Sequence, residues 1–271
     1  WKWAVHQMAG QALGEPIDWD PTPPIDSEAE HVAPADGHRG RIRVKPYDSG
    51  MPNADPDRIF ELLWSHIVYE LHNIGHVPRF EQLREQAARG RISKHQFVER
   101  IFHYEHEAIQ QTRAFYVKVQ LPWAAEKGLK SDADLWFANL WLDVDAAMDG
   151  FTDLQQYPWK PYSRQYDWLR AHAQIDKEEY REALTRLQTM AGEDGYPDDL
   201  SHVHYWIAEC QLALNDLQAA LKAASAAIAA DPKDVHAYEL RAEVYEEFGE
   251  AAKAAADLAT VRRLDAEAEQ H

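Results

Sequence analysis

The sequence predicts an all-α protein in which a helical amino-terminal domain is followed by an array of α-hairpins. Two observations carry this expectation. Between residues 55 and 150, apolar side chains recur at helical spacing between recognisable helix start and stop signals. In the last third, the chain matches itself at an offset of 34 residues. Composition agrees: 271 residues with 45% hydrophobic and 11% aromatic content are enough for two packed units.

Residues 1–54 hold Pro16, Pro21, Pro23, Pro24 and Pro34 among short apolar patches and turn formers, and read as a proline-rich extended arm. Its Trp1, Trp3 and Trp19 are costly to leave in water, so the arm is expected to lie against the helical body. Arg39, Arg41, Arg43 and Lys45 alternate with Ile42 and Val44 as in a half-buried strand, which is either an anion or partner site or a solvated strand face.

A helical domain is expected over 55–160. Asp55 as N-cap and Pro56 at the first helical position open a helix that runs to about Ile74 and stops at Gly75. Phe60, Trp64, Ile67, Leu71 and Ile74 form its apolar stripe. A shorter helix with Phe80, Leu83 and Ala87 ends near Gly90. Ser93 with Gln96 makes a capping box for the next helix, and Ile92 with Phe97 a hydrophobic staple. From there to about Gln120 apolar residues cover more than half the circumference, so this helix should be central, with Pro122 ending it. A further helix is expected from Asp132 to Met148, opened by Ser131 and closed by Gly150. The stretch Tyr157, Pro158, Trp159, Pro161, Tyr162 reads as a packed connector.

The hairpin array is expected over 163–271. The 34-residue offset pairs Ala208 with Ala242, Asn215 with Gly249, Ala220 with Ala254, Ala224 with Leu258, Ala227 with Val261 and Asp231 with Asp265. Small residues recur where two helices must approach closely, and turn residues recur between them. Ala208, Ala220 and Pro232 stand at the eighth, twentieth and thirty-second positions of the unit, and by these the carboxy-terminal third alone resembles the tetratricopeptide repeat family. A more degenerate upstream unit holds Ala171, Tyr180, Ala183, Leu187 and Met190, separated from the next by an insertion near Gly195. His204 stands at the family's aromatic position and Ala266 at its last proline. The resemblance implies binding of another protein or peptide on a concave face lined by first helices, with His204, Tyr205, Tyr238, Arg241 and Tyr245 as candidates. Tyr238 and Tyr245 read equally well as packing between repeats. The dense Lys and Arg set that would clamp an acidic peptide is missing.

The formal charge of -18 comes from 46 acidic against 28 basic residues scattered along the chain, which makes nucleic acid an unsuitable partner. The single cysteine, Cys210, excludes an intramolecular disulfide and a multi-cysteine zinc site. No apolar run is long enough for a transmembrane helix, and no signal peptide is visible. The first residue is Trp1, which suggests a processed or truncated product. A soluble protein, cytoplasmic or exported after processing, is expected.

Catalysis has no strong motif behind it. His106-Glu107-x-x-Gln110 replaces the second histidine of a zinc-peptidase motif with glutamine and so lacks a ligand. His66 and Glu70 lie one helical turn apart beside the first apolar stripe, and Glu105 falls inside the apolar arc of the central helix. If those helices pack together, Glu70, Glu105 and His66 would suit a divalent metal ion or an acid-base pair; otherwise partners such as Arg or Tyr satisfy the carboxylates. His72, His76, His95 and His103 are expected in solvent. The leading reading is a protein-interaction or assembly protein. The alternatives are a metal-dependent or acid-base hydrolase using Glu70 and Glu105, and a structural subunit of a homo-oligomer whose arm docks on a neighbouring copy.

Overall fold

A computed structural model describes residues 17–19, 29–32, 41–44, 56–137, 159–193 and 199–268, with side chains from Glu61 onward. Trp1, Trp3 and Asp55 lie outside the described residues, as does the side chain of Trp19. The chain divides into two compact units, Trp1–Leu83 with Val98–Pro158, and Arg84–Phe97 with Trp159–His271.

In the first unit, strands β1 (Ile17–Trp19), β2 (Ala29–Val32) and β3 (Arg41–Val44) pair in the order β1-β3-β2. β1 is parallel to β3 and β2 antiparallel to it. The alternation of Arg41, Ile42, Arg43 and Val44 therefore forms the strand that it predicts, and the arm carries a small sheet. Helix α1 (Pro56–Ile74) starts at its proline, where the missing amide hydrogen costs nothing, and buries Leu63, Ile67, Val68 and Ile74.

Helices α2 (Val77–Ala88) and α3 (Lys94–Phe115) follow. The capping box of α3 is reciprocal: Ser93 N–H donates to Gln96 Oε1 at 2.9 Å, and Gln96 N–H donates to Ser93 Oγ at 3.2 Å. Pro122 does not end this helix. The backbone widens into a π turn over Tyr116–Gln120, where Leu121 N–H donates to the Tyr116 carbonyl, and continues as α4 (Leu121–Lys127). The extra residue puts Pro122 in the first turn of a new helix, where its lost donor is harmless.

The helix expected from Asp132 to Met148 is also corrected at its start. Residues Ala133–Trp136 form a 3-10 turn closed by Phe137 at φ 55°. Ser131 is not the cap; its hydroxyl donates to Glu61, and Asp132 caps the turn by accepting from Asp134 N–H at 3.1 Å. Glu61 also accepts from Asp132 N–H at 3.1 Å and from Trp136 Nε1 at 2.8 Å. Trp136 is fully buried, stacked on Phe115 and Tyr116 at ring separations of 5.7 and 5.8 Å. A buried carboxylate collecting three donors and a large aromatic burial outweigh local helix preference here. Residues 138–148 lie outside the described residues.

The second unit holds three consecutive hairpins: α5 (Trp159–Ile175) with α6 (Tyr180–Ala191), α7 (Leu200–Ala213) with α8 (Leu217–Ala230), and α9 (Val235–Glu247) with α10 (Ala251–Ala268). The connector expected through Tyr162 is shorter than predicted, because α5 takes Pro161 into its first turn. The hairpin turns are built alike. Glu178, Asn215 and Gly249 take φ of 62°, 60° and 74°. Each donates to the carbonyl three residues back at 2.8 Å, and the next residue donates five residues back, at 2.9, 2.9 and 2.8 Å. This left-handed ending satisfies the last carbonyls of the first helix and reverses the chain.

The small residues paired by the offset are buried as expected: Ala208, Ala220, Ala224 and Ala227 are fully so, and Ala242 and Ala254 nearly so. They let backbones approach, which makes the array tetratricopeptide-like. Cys210 lies in the same core, where burial raises its thiol pKa to about 11, so it is an inert packing residue.

The turn from Arg84 to Phe97 covers the open flank of α5. Tyr166 OH donates to the Ile92 carbonyl at 2.9 Å, Arg170 Nη1 to the Ala88 carbonyl at 2.7 Å, and Lys94 pairs with buried Asp167, which also accepts from Arg186 at 3.0 Å. Gly90 suits this turn because its φ is +67°, and a Cβ there would also press on the Arg170 guanidinium, 2.8 Å from Nη1. Among the described residues no helix is long and apolar enough to cross a membrane.

Candidate partner-binding face

The two carboxylates expected to face each other have different neighbours. Glu105 accepts a short hydrogen bond from Tyr69 OH, so Tyr69 rather than Glu70 meets it across α1 and α3. Burial, then the Glu105 charge, raises the Tyr69 pKa and keeps the phenol protonated as the donor. Glu70 is buried and partnered, and His66 is half-buried and partnered. Among the described residues no group of three or more His, Cys, Asp or Glu side chains is arranged to hold a metal ion.

Nor is His76 in solvent. It is 5% exposed, stacks on Tyr104 at 5.9 Å, and its Nδ1 lies 3.3 Å from Arg79 Nη1. Since the guanidinium can only donate, Nδ1 is the acceptor and the neutral ring carries its proton on Nε2. Arg79 also binds Glu107 at 2.6 Å and lies 4.8 Å over the Tyr104 ring. His72 is half-buried; burial, then the neighbouring His76, lowers its pKa to about 4. His103 is half-buried, and His95, exposed, lies against Trp159 at 5.8 Å. In the first unit His76, Arg79, Tyr104 and the half-exposed Glu107 make a structural polar network.

The hairpin array offers a different assembly. Helical spacing puts Trp168 and His172 on one face of α5, and His202, Tyr205, Trp206 and Glu209 on one face of α7. Trp168 meets His172 at 4.6 Å and His202 at 5.4 Å; His172 meets Trp206 at 4.6 Å; Tyr205 meets Trp206 at 5.3 Å. All four contacts are edge-to-face, the arrangement that ring quadrupoles favour. Trp168, Tyr205 and Trp206 rest against the buried core of the first two hairpins while keeping part of their surface accessible, and His202 is exposed. Burial, then His202, lowers the His172 pKa, so the belt is uncharged near neutrality at that ring.

Tyr205 OH donates to Glu209 Oε1 at 2.6 Å. Burial, then Glu209, Asp234 and Glu239, raise its pKa, which places carboxylates of the following hairpin near the phenol. His204, beside it in sequence, is half-buried, and desolvation lowers its pKa.

Of the residues singled out from the sequence, only Tyr205 belongs to this belt. Tyr238, Arg241 and Tyr245 form a separate cluster in the last hairpin. Arg241 is held by Asp257 of α10 through two bonds, 2.8 and 2.7 Å, and lies 5.5 and 6.0 Å from the Tyr238 and Tyr245 rings. Its guanidinium therefore ties the two helices of its own hairpin together. Sequence reasoning missed Trp168, His172, His202 and Trp206, although their three- and four-residue spacings were a usable signal.

No protein-family model matches the chain, and no curated protein does. Among solved structures it is similar to a double mutant of MamA RS-1, with TM-score 0.38 and 14% identity over 66% of this chain and 99% of that one. It is similar also to MamA residues 41 to the end from Desulfovibrio magneticus RS-1, with TM-score 0.37 and 14% identity over 65% and 97%. For MamA MSR-1 the figures are 0.37 and 13% over 72% and 99%. Overlays this loose carry no argument, and the hairpin assignment rests on the packing of this chain's own helices.

Proposed function

We propose that this chain is an interaction or assembly protein whose tetratricopeptide-like array binds a segment of another protein across the first helices of its hairpins. The observation that carries this is the belt of Trp168, His172, His202, Tyr205 and Trp206. Large rings held rigidly in edge-to-face contact, yet partly accessible, supply binding area with little further loss of side-chain freedom. The hydrolase reading has no such support, because Glu105 is engaged by Tyr69. Membership of the tetratricopeptide family proper belongs to the same proposal, supported by the 34-residue recurrence of buried alanines.

The test is selection of a random-peptide display library on the immobilised full chain and on a His202→Ala, Tyr205→Ala variant whose helicity matches wild type by circular dichroism. Sequences enriched on wild type should be lost on the variant. Enrichment indifferent to the substitutions, or none at all, ends the reading.

A further inference from the structure

The belt does not continue unchanged along the array. In the 34-residue register, His202, Tyr205 and Glu209 of α7 correspond to His236, Glu239 and Glu243 of α9. The ring at the middle position is replaced by a carboxylate, and the carboxylate at the last is kept. Glu239 is half-exposed with the exposed His236 beside it at 3.3 Å and the Tyr205 phenol nearby, and Glu243 is exposed one turn further along. α7 carries no Lys or Arg, and the single one on α9, Arg241, is bound to Asp257. One ring thus gives way to a carboxylate from one first helix to the next, beside a carboxylate common to both, with no available Lys or Arg between them on α7 or α9.

From this arrangement we infer that the face takes a cationic protein segment, one carrying an apolar or aromatic anchor with Arg or Lys close by. The inference rests on the peptide-binding reading above and adds the chemistry of the partner. Guanidinium and ammonium groups are attracted both by aromatic faces and by carboxylates, so one side chain type satisfies both halves of the surface. An acidic segment would set like charges against Glu209, Glu239 and Glu243, with no Lys or Arg of α7 or α9 left to compensate. A purely apolar segment would gain nothing from them. The net charge of -18 adds long-range attraction for such a partner. Neighbouring packed helices lie about 8–10 Å apart, which an extended chain spans in roughly three residues. The anchor and the first cation are therefore separated by about three residues.

The experiment uses fluorescence anisotropy of a labelled peptide of about 12 residues bearing Trp and, about three residues on, two Arg, with a counterpart that has Glu for Arg. Full-length wild type is compared with Glu239→Gln, Glu243→Gln and with the control Asp265→Asn, Glu267→Gln, which removes two exposed charges from α10. The Arg peptide should bind wild type about tenfold tighter than it binds the Glu239, Glu243 variant, while the control changes less than about twofold. Equal weakening by both pairs would mean attraction to net charge alone and overturn the inference, as would failure of the Arg peptide to bind. Equal or tighter binding of the Glu peptide, lost with His202→Ala, would leave the peptide-binding face standing and remove its cationic preference.

Discussion

Arg164 and Asp199 meet through two parallel hydrogen bonds, Nε to Oδ2 at 2.9 Å and Nη2 to Oδ1 at 2.7 Å. The remaining Arg164 nitrogen donates to the Met190 carbonyl at 2.8 Å and to Glu193 at 2.9 Å. One buried guanidinium thereby closes the end of α6 and fixes the start of α7. The next hairpin repeats the connection with smaller groups: Ser201 Oγ donates to Asp234 Oδ2 at 2.6 Å, and Asp234 caps α9 by accepting from Ala237 N–H at 3.2 Å. Arg164 and Ser201 each stand seven residues before a fully buried alanine, Ala171 and Ala208. The register of the array thus includes a polar link from each first helix to the cap of the next.

Replacing Arg164 with Met should cost about 2–3 kcal/mol, because it strands the Met190 carbonyl and leaves Asp199 and Glu193 together without a cation; their partial exposure keeps the loss below that of a fully buried pair. Urea unfolding measures it. A loss under about 0.5 kcal/mol would show that the link is decorative.

Glu178 occupies the left-handed position that Asn215 and Gly249 occupy in the later hairpins. A glutamate gains nothing there and bears the steric cost of its Cβ, so Glu178→Gly should stabilise the protein by about 0.5–1 kcal/mol after the entropy of glycine is counted. Destabilisation on thermal melting would mean that the side chain has a role beyond the turn.

Acid should loosen the first unit through His72. Its folded-state pKa of about 4 lies below the 6.5 of an unstrained imidazole, chiefly through burial, then through His76, with Gln111 opposing. The unfolded chain therefore takes up the proton first. Stability is full above about pH 6.5 and falls as pH drops toward 4, by on the order of 2 kcal/mol once partial solvent access is allowed for. His76, His172 and His204 are shifted in the same direction. Unfolding free energies at pH 7.5 and 5, where most carboxylates stay ionised, should differ less in His72→Gln than in wild type. Identical slopes would exclude His72 as a source.

Much of the helical skeleton was legible because its signals act over three or four residues. The Ser93–Gln96 box, the start at Pro56 and the stop after Ile74 each depend on neighbours in sequence, and the structure has them where they were expected. Pro122 and the segment after Ser131 were misread for the complementary reason. A π turn absorbs the proline, and Glu61, some seventy residues away, captures Ser131 and Trp136. The aromatic belt was only partly visible. Tyr205 stood out by its position in the repeat, whereas Trp168 and His172 lie in the degenerate unit, where the insertion near Gly195 shifts the register.

From the residues alone came the all-α class, the helical hairpins and the recurrence of small side chains at their contacts. Helix geometry is local, and close approach of two backbones leaves its mark as alanine. Tertiary packing alone decided which polar groups meet. It gave Glu105 to Tyr69, Arg241 to Asp257 and the turn from Arg84 to Phe97 to α5. Those pairings join residues far apart in sequence, and a carboxylate or guanidinium in a helical pattern has many candidate partners until the helices that carry it are placed.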